Sequence, residues 1–91
     1  SVIYSHPDVL EAAVIGVPDT EWGEAVKAVA VLKPDSLLKA DELIAFCKVR
    51  LSPYKVPKSV EFRTSLPHTE IGKINKVKLR EMIVARAVPA G

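Results

Sequence analysis

One lysine is presented differently from the rest. Leu66-Pro67-His68-Thr69-Glu70-Ile71-Gly72-Lys73-Ile74-Asn75-Lys76 reads as a proline-bounded loop, with a glycine just ahead of Lys73 and a helical pattern just after it. An ammonium group delivered on such a loop suits phosphate or carboxylate chemistry, where a positive point charge must arrive and later leave. Gly72 is the natural hinge for that loop, because glycine has the widest choice of backbone conformations. A second group is Trp22-Gly23, which follows the polar run Pro18-Asp19-Thr20-Glu21 between two strand-like stretches. A tryptophan on a turn is either a ring awaiting a partner or a lid on the core edge. A third is Tyr54-Lys55, bracketed and stiffened by Pro53 and Pro57. Its ring can stack on a base and its lysine can meet a phosphate; the bland alternative is a turn tyrosine packed on Leu51.

Several other chemistries are excluded. A phosphate-cradling G-x-x-x-x-G-K-[ST] loop needs a glycine where Pro67 stands and a hydroxyl where Ile74 stands. His6 and His68 have no cysteine or carboxylate at ligand spacing, so no metal site is expected. Ser65 and His68 lack an acid placed to complete a triad. Cys47 falls on an apolar helix face and reads as an inert core thiol. Lys76 and Lys78 read as the solvated face of the last helix.

The elements that must position these groups follow from the apolar spacing. Residues 1–5 read as the end of a helix stopped by His6-Pro7, since a residue before proline avoids helical geometry. Residues 9–17 are rich in Val and Ile and are expected to form a strand closed by Pro18-Asp19. Residues 25–32 are apolar except for Lys27, which suits a central strand covered on both faces. In residues 41–51, Leu43, Cys47 and Leu51 recur at i, i+4, i+8, with Asp41 and Glu42 in the first turn and Lys48 and Arg50 in the last, which predicts a helix. Residues 59–63 alternate, with Val60 and Phe62 inward. Asn75 is placed to cap a final helix whose stripe is Leu79, Met82 and Ile83, and residues 88–91 form an expected frayed tail. This order predicts an α+β fold: a small domain with a three-stranded, antiparallel-type sheet packed by helices.

Ninety-one residues allow one domain with a modest core. Apolar residues make up 48% and charged residues 26%, which argues against disorder. No run approaches the roughly 20 apolar residues a membrane span requires, and no signal peptide is visible. The single cysteine fits a reducing cytoplasm. The net charge of +2 hides an asymmetry: residues 1–36 hold two basic and six acidic side chains, residues 37–91 eleven basic and five acidic. The basic half carries the lysine loop and invites an anionic partner.

Four segments, in order and in spacing, resemble one known family. They are His6-Pro7-Asp8-Val9, Ala12 through Asp19 with Trp22-Gly23-Glu24, Pro53-Tyr54-Lys55-Val56-Pro57, and the P-x-x-x-x-G-K run ending at Lys73. Together they are similar to the small C-terminal domain of the adenylate-forming enzymes, which include acyl-CoA synthetases, luciferases and peptide-synthetase adenylation domains; the Trp-Gly-Glu turn is most like an acyl-CoA synthetase. The resemblance implies that residues 1–91 are the C-terminal lid domain of such a ligase, a fragment without the N-terminal domain and hinge, and inactive alone. It implies a catalytic Lys73 for adenylation, Gly72 as loop hinge, and Trp22, Gly23, Tyr54 and Lys55 beside the CoA nucleotide. Where some relatives carry an arginine this chain has Val56, and Lys58 is the substitute at hand. The implied substrates are ATP, CoA and a carboxylic acid, with AMP as product and Mg²⁺ held by the missing N-terminal domain. The implied partners are that domain and a lysine acetyltransferase acting on Lys73, with neither nucleic acid nor a membrane. The alternative is a non-enzymatic basic α+β module that binds an anionic partner or nucleic acid. Nucleic-acid binding would want aromatics among the basic residues, where only Tyr54 and an inward Phe62 stand.

Overall fold

The computed structural model describes residues 2–21 and 23–87. Trp22 and the expected tail at 88–91 lie outside the described residues. A 3-10 turn, Ile3–Ser5, precedes strand β1 (Val9–Asp19), strand β2 (Gly23–Leu32), helix α1 (Ala40–Lys48), a second 3-10 turn (Pro53–Lys55), strand β3 (Ser59–Phe62) and helix α2 (Lys76–Ala87).

β1 and β2 form a long antiparallel hairpin, from Val9 opposite Leu32 to Asp19 opposite Gly23. The expected stop at Pro18 does not occur: β1 runs on to Asp19, with Pro18 opposite Glu24. Proline is tolerated there because β1 is an edge strand, where a missing N–H can face away from the ladder. β3 adds to the other side of β2, parallel to it, with Lys27 opposite Ser59 and Ala30 opposite Phe62. The three-stranded α+β sheet is therefore mixed, its longer ladder antiparallel and its shorter one parallel. A parallel neighbour needs a crossover connection, and the segment carrying α1 supplies it.

β2 is the central strand and both its faces are covered, as its unbroken apolar run predicts. Val29 and Val31 pack with Ala13, Ile15, Leu66, Leu79 and Ile83 on the α2 side. Ala28 and Ala30 pack with Ile3, Val9, Leu43 and Cys47 on the α1 side. Leu43 and Leu79 are fully buried, and each such leucine contributes about 1.5–3 kcal/mol of transfer free energy.

The helices differ from their expected forms in two places. α1 ends at Lys48, not at 51, because the amides of Arg50 and Leu51 both turn back to the carbonyl of Cys47. In α2, Leu79 and Ile83 are buried but Met82 is 38% exposed, so the stripe is narrower than its spacing implies. The α2 start is as expected: Asn75 Oδ1 accepts the Lys78 amide at 3.0 Å, a side-chain cap on an orphan N–H. At α1 the Lys39 amide donates to Glu42 Oε1 at 2.8 Å, half of a capping box.

Candidate functional site

The loop between β3 and α2 folds into a miniature hairpin. Gly72 N–H donates to the Thr69 carbonyl (2.9 Å), Thr69 N–H to the Lys73 carbonyl (2.7 Å), and Asn75 N–H to the Pro67 carbonyl (2.8 Å). His68 and Ile74 pair antiparallel between them. Three residues, Glu70, Ile71 and Gly72, thus form the tip, the arrangement in which the last loop residue takes a left-handed conformation. Gly72 does so, with φ of 86°. Thr69 Oγ1 also accepts the Lys73 amide at 3.3 Å.

Lys73 therefore follows directly on the turn. Its residue is exposed, and among the described residues no acceptor holds its ammonium. Ile71 beside it is 80% exposed, so the tip offers one cation and one large apolar group to solvent. The stem is fixed: Leu66 is buried against Leu79, and α2 begins immediately after Asn75. On its flank, His68 Nε2 lies 2.7 Å from Glu11 Oε2 on β1.

A second candidate region forms where the start of β2 meets the Pro53–Lys58 segment. A cleft of about 420 Å³ lies between Glu24, Ala25 and Val26 on one side and Tyr54, Val56 and Lys58 on the other. The Lys58 amide donates to the Val26 carbonyl at 2.8 Å, which joins the two sides. Tyr54 is 78% exposed rather than packed as a core side chain, and the Lys55 ammonium sits 5.8 Å from its ring centroid. Of the candidates Gly23, Tyr54 and Lys55, Tyr54 lines this cleft, together with Glu24, the residue after Gly23. Gly23 has a φ of 77° and opens β2. Val56 packs inward with the α1-side core, so Lys58, which lines the cleft, is the basic residue at hand there.

A residue that the sequence reading did not single out, Arg80, joins these parts. Arg80 of α2 donates from Nε to the Gly16 carbonyl (2.8 Å) and lies 3.9 Å from Glu24. Glu24 itself lies over Gly16, where a Cβ would collide with its side chain. Arg80 and Gly16 are 64 residues apart and Glu11 and His68 are 57 apart, so no local periodicity could pair them. The remaining sequence candidates are structural. His6 accepts the Asp8 amide (3.0 Å) and meets Phe46 edge-on, and the Arg50 guanidinium lies over the Phe46 ring, 3.6 Å from its centroid. Burial pushes the Cys47 thiol up from its ordinary pKa, with Arg50 opposing the shift, so the thiol is an unreactive core group. Among the described residues no cluster of His, Cys, Asp and Glu could hold a metal, and no helix is long and apolar enough to cross a membrane.

The fold is that of a known domain class. Residues 1–73 match the AMP-binding enzyme C-terminal domain, and the chain belongs to that family. It is 53% identical over 78 residues to a feruloyl-CoA synthase of Amycolatopsis, covering 86% of this chain and 16% of that protein. It is 49% identical over 79 residues to a long-chain-fatty-acid–CoA ligase of Bacillus subtilis, covering 87% of this chain and 14% of that protein. A fatty acyl CoA synthetase of Mycobacterium tuberculosis has the same fold, with a TM-score of 0.87 and 41% identity over 97% of this chain and 17% of that one. The chain thus spans about one sixth of the length of the ligases it matches.

Proposed function

We propose that this domain is the C-terminal lid of an ATP-dependent acid–CoA ligase and that Lys73 is its contribution to adenylation. The observation that carries the reading is the presentation of Lys73: exposed, with no acceptor among the described residues, at the end of a glycine turn, at the last residue of the family match. In the reaction a carboxylate oxygen attacks the α-phosphorus of ATP, and pyrophosphate leaves with the electron pair of the broken P–O bond. Two anions must meet, and charge builds on the phosphoryl oxygens. A lysine ammonium beside them lowers the repulsion and stabilises that charge. The large domain, which this chain does not contain, holds ATP, Mg²⁺ and the acid.

In the second half-reaction the CoA thiolate attacks the acyl carbonyl and AMP leaves. The cleft formed by Glu24, Tyr54 and Lys58 is the face that meets the CoA nucleotide, with Tyr54 available for stacking and Lys55 for a phosphate. The two sites are separate elements of one small domain, so alternation of the whole domain would use them in turn. Lys73, exposed at the end of a glycine turn, is within reach of a lysine acetyltransferase, and acetylation would remove the charge that adenylation needs. The 91-residue chain, incubated with ATP and a range of fatty and aryl acids, should release no pyrophosphate, whereas the full-length ligase should. Turnover by the chain alone would contradict the reading.

A further inference from the structure

The hairpin that carries Lys73 is held by two stem anchors, by packing of Ile74 against the α2-side core, and by a polar tie to β1. The stem anchors are Leu66, buried in the α2-side core, and Asn75, which accepts the Lys78 amide and whose own amide donates to Pro67. Both hold the ends of the hairpin, and the Ile74 contact holds the strand that carries Lys73. The polar tie is the contact between His68 Nε2 and Glu11 Oε2, at 2.7 Å. Glu11 sits on the edge strand, opposite Val31 of β2. His68 pairs with Ile74, the residue next to Lys73. A tie made there transmits directly to the backbone that aims the lysine. Neither side chain belongs to the core: 39% of the His68 side chain and 27% of that of Glu11 remain exposed. Exposed pairs of this kind add little to global stability.

We propose that His68 and Glu11 are positioning residues for Lys73, fixing the angle at which the hairpin leaves the sheet so that the ammonium meets the reacting anions. This rests on the adenylation role of Lys73. The physical ground is that a catalytic group displaced by about 1 Å can lose on the order of a hundredfold in rate while the fold survives.

The test uses the full-length ligase with His68→Ala, Glu11→Ala, the double variant, Glu11→Gln, and Lys73→Ala as reference. Adenylation is followed by ATP–pyrophosphate exchange, thioester formation by CoA capture of supplied acyl-adenylate, and folding by thermal unfolding. Each alanine variant should lose about tenfold or more in adenylation kcat, with thioester formation and the unfolding temperature nearly unchanged. The double variant should lose no more than the worse single variant, since both changes cut one tie. Glu11→Gln should retain most of the rate, because an amide can still hydrogen-bond the imidazole. Adenylation intact in both alanine variants while Lys73→Ala is crippled would overturn the positioning role and leave that of Lys73 standing. Losses that multiply in the double variant, or that fall equally on both half-reactions, would overturn it too. Full adenylation by Lys73→Ala would remove the underlying reading, and the positioning role with it.

Discussion

Gly72→Ala isolates the turn that presents Lys73. Gly72 has a φ of 86°, and a Cβ built there meets nothing within 4 Å. The substitution therefore has no steric cost, only the backbone cost of holding an L-residue in the left-handed region, about 1–2 kcal/mol. That cost need not reach the core. The tip is exposed and the hairpin is closed by three backbone hydrogen bonds, so it can open locally while the sheet stays folded. A bias of that size lowers the closed-to-open ratio by roughly 5- to 30-fold. Native-state hydrogen exchange reads this directly: the Thr69 and Asn75 amides, which donate to Lys73 and Pro67, should lose roughly 5- to 30-fold in protection, while amides of Val29 and Ala30 in central β2 keep theirs. Gly72→Asn should lose less, since asparagine visits the left-handed region more readily. Unchanged protection at Thr69 would refute the turn argument. An equal loss at Thr69 and Val29 would show that hairpin and core open as one unit.

The narrow stripe of α2 predicts a contrast between neighbours. Leu79→Ala, at a fully buried site, should cost about 2–5 kcal/mol in denaturant unfolding, and Met82→Ala well under 1 kcal/mol; similar losses would contradict the packing described. For Cys47 the folded-state pKa is raised, so the unfolded chain releases the thiol proton first. Stability from this group is present below the unfolded thiol value of about 8.5 and is lost as pH rises from there through the folded value. Urea midpoints from pH 7 to pH 10 should fall less steeply for Cys47→Ala than for the parent, and identical slopes would count against burial as the cause. Tyr54→Ala in the full-length ligase should raise the KM for CoA several-fold with adenylation unaffected, and an unchanged KM would remove the cleft from the CoA site.

The elements were legible because each is dictated locally. The apolar run of β2 contains residues for both faces of a covered strand, and both faces are covered. Leu43 and Cys47 on α1, and Leu79 and Ile83 on α2, are buried at their helical spacing. What was not legible depends on neighbours brought from far along the chain. The direction of β3 follows from its crossover, not from Val60 and Phe62, which would alternate in either orientation. Pro18 breaks a strand only where its missing N–H is needed, and the edge position of β1 is a property of the sheet. At the site, proline, glycine and lysine mark the Lys73 loop in sequence. The carboxylate that flanks it, Glu11, sits among strand residues with nothing to distinguish it. The cleft is intermediate: Glu24 and Tyr54 stood in separate motifs, and only the pairing of β2 with the Lys58 segment makes them neighbours.

Lys73→Ala in the full-length ligase shows most directly whether Lys73 acts in one half-reaction, as proposed. ATP–pyrophosphate exchange should fall on the order of a hundredfold or more, the scale for loss of one electrostatic stabiliser, while CoA capture of supplied acyl-adenylate proceeds at nearly the parent rate. Equal damage to both half-reactions, or none to the first, would contradict that role.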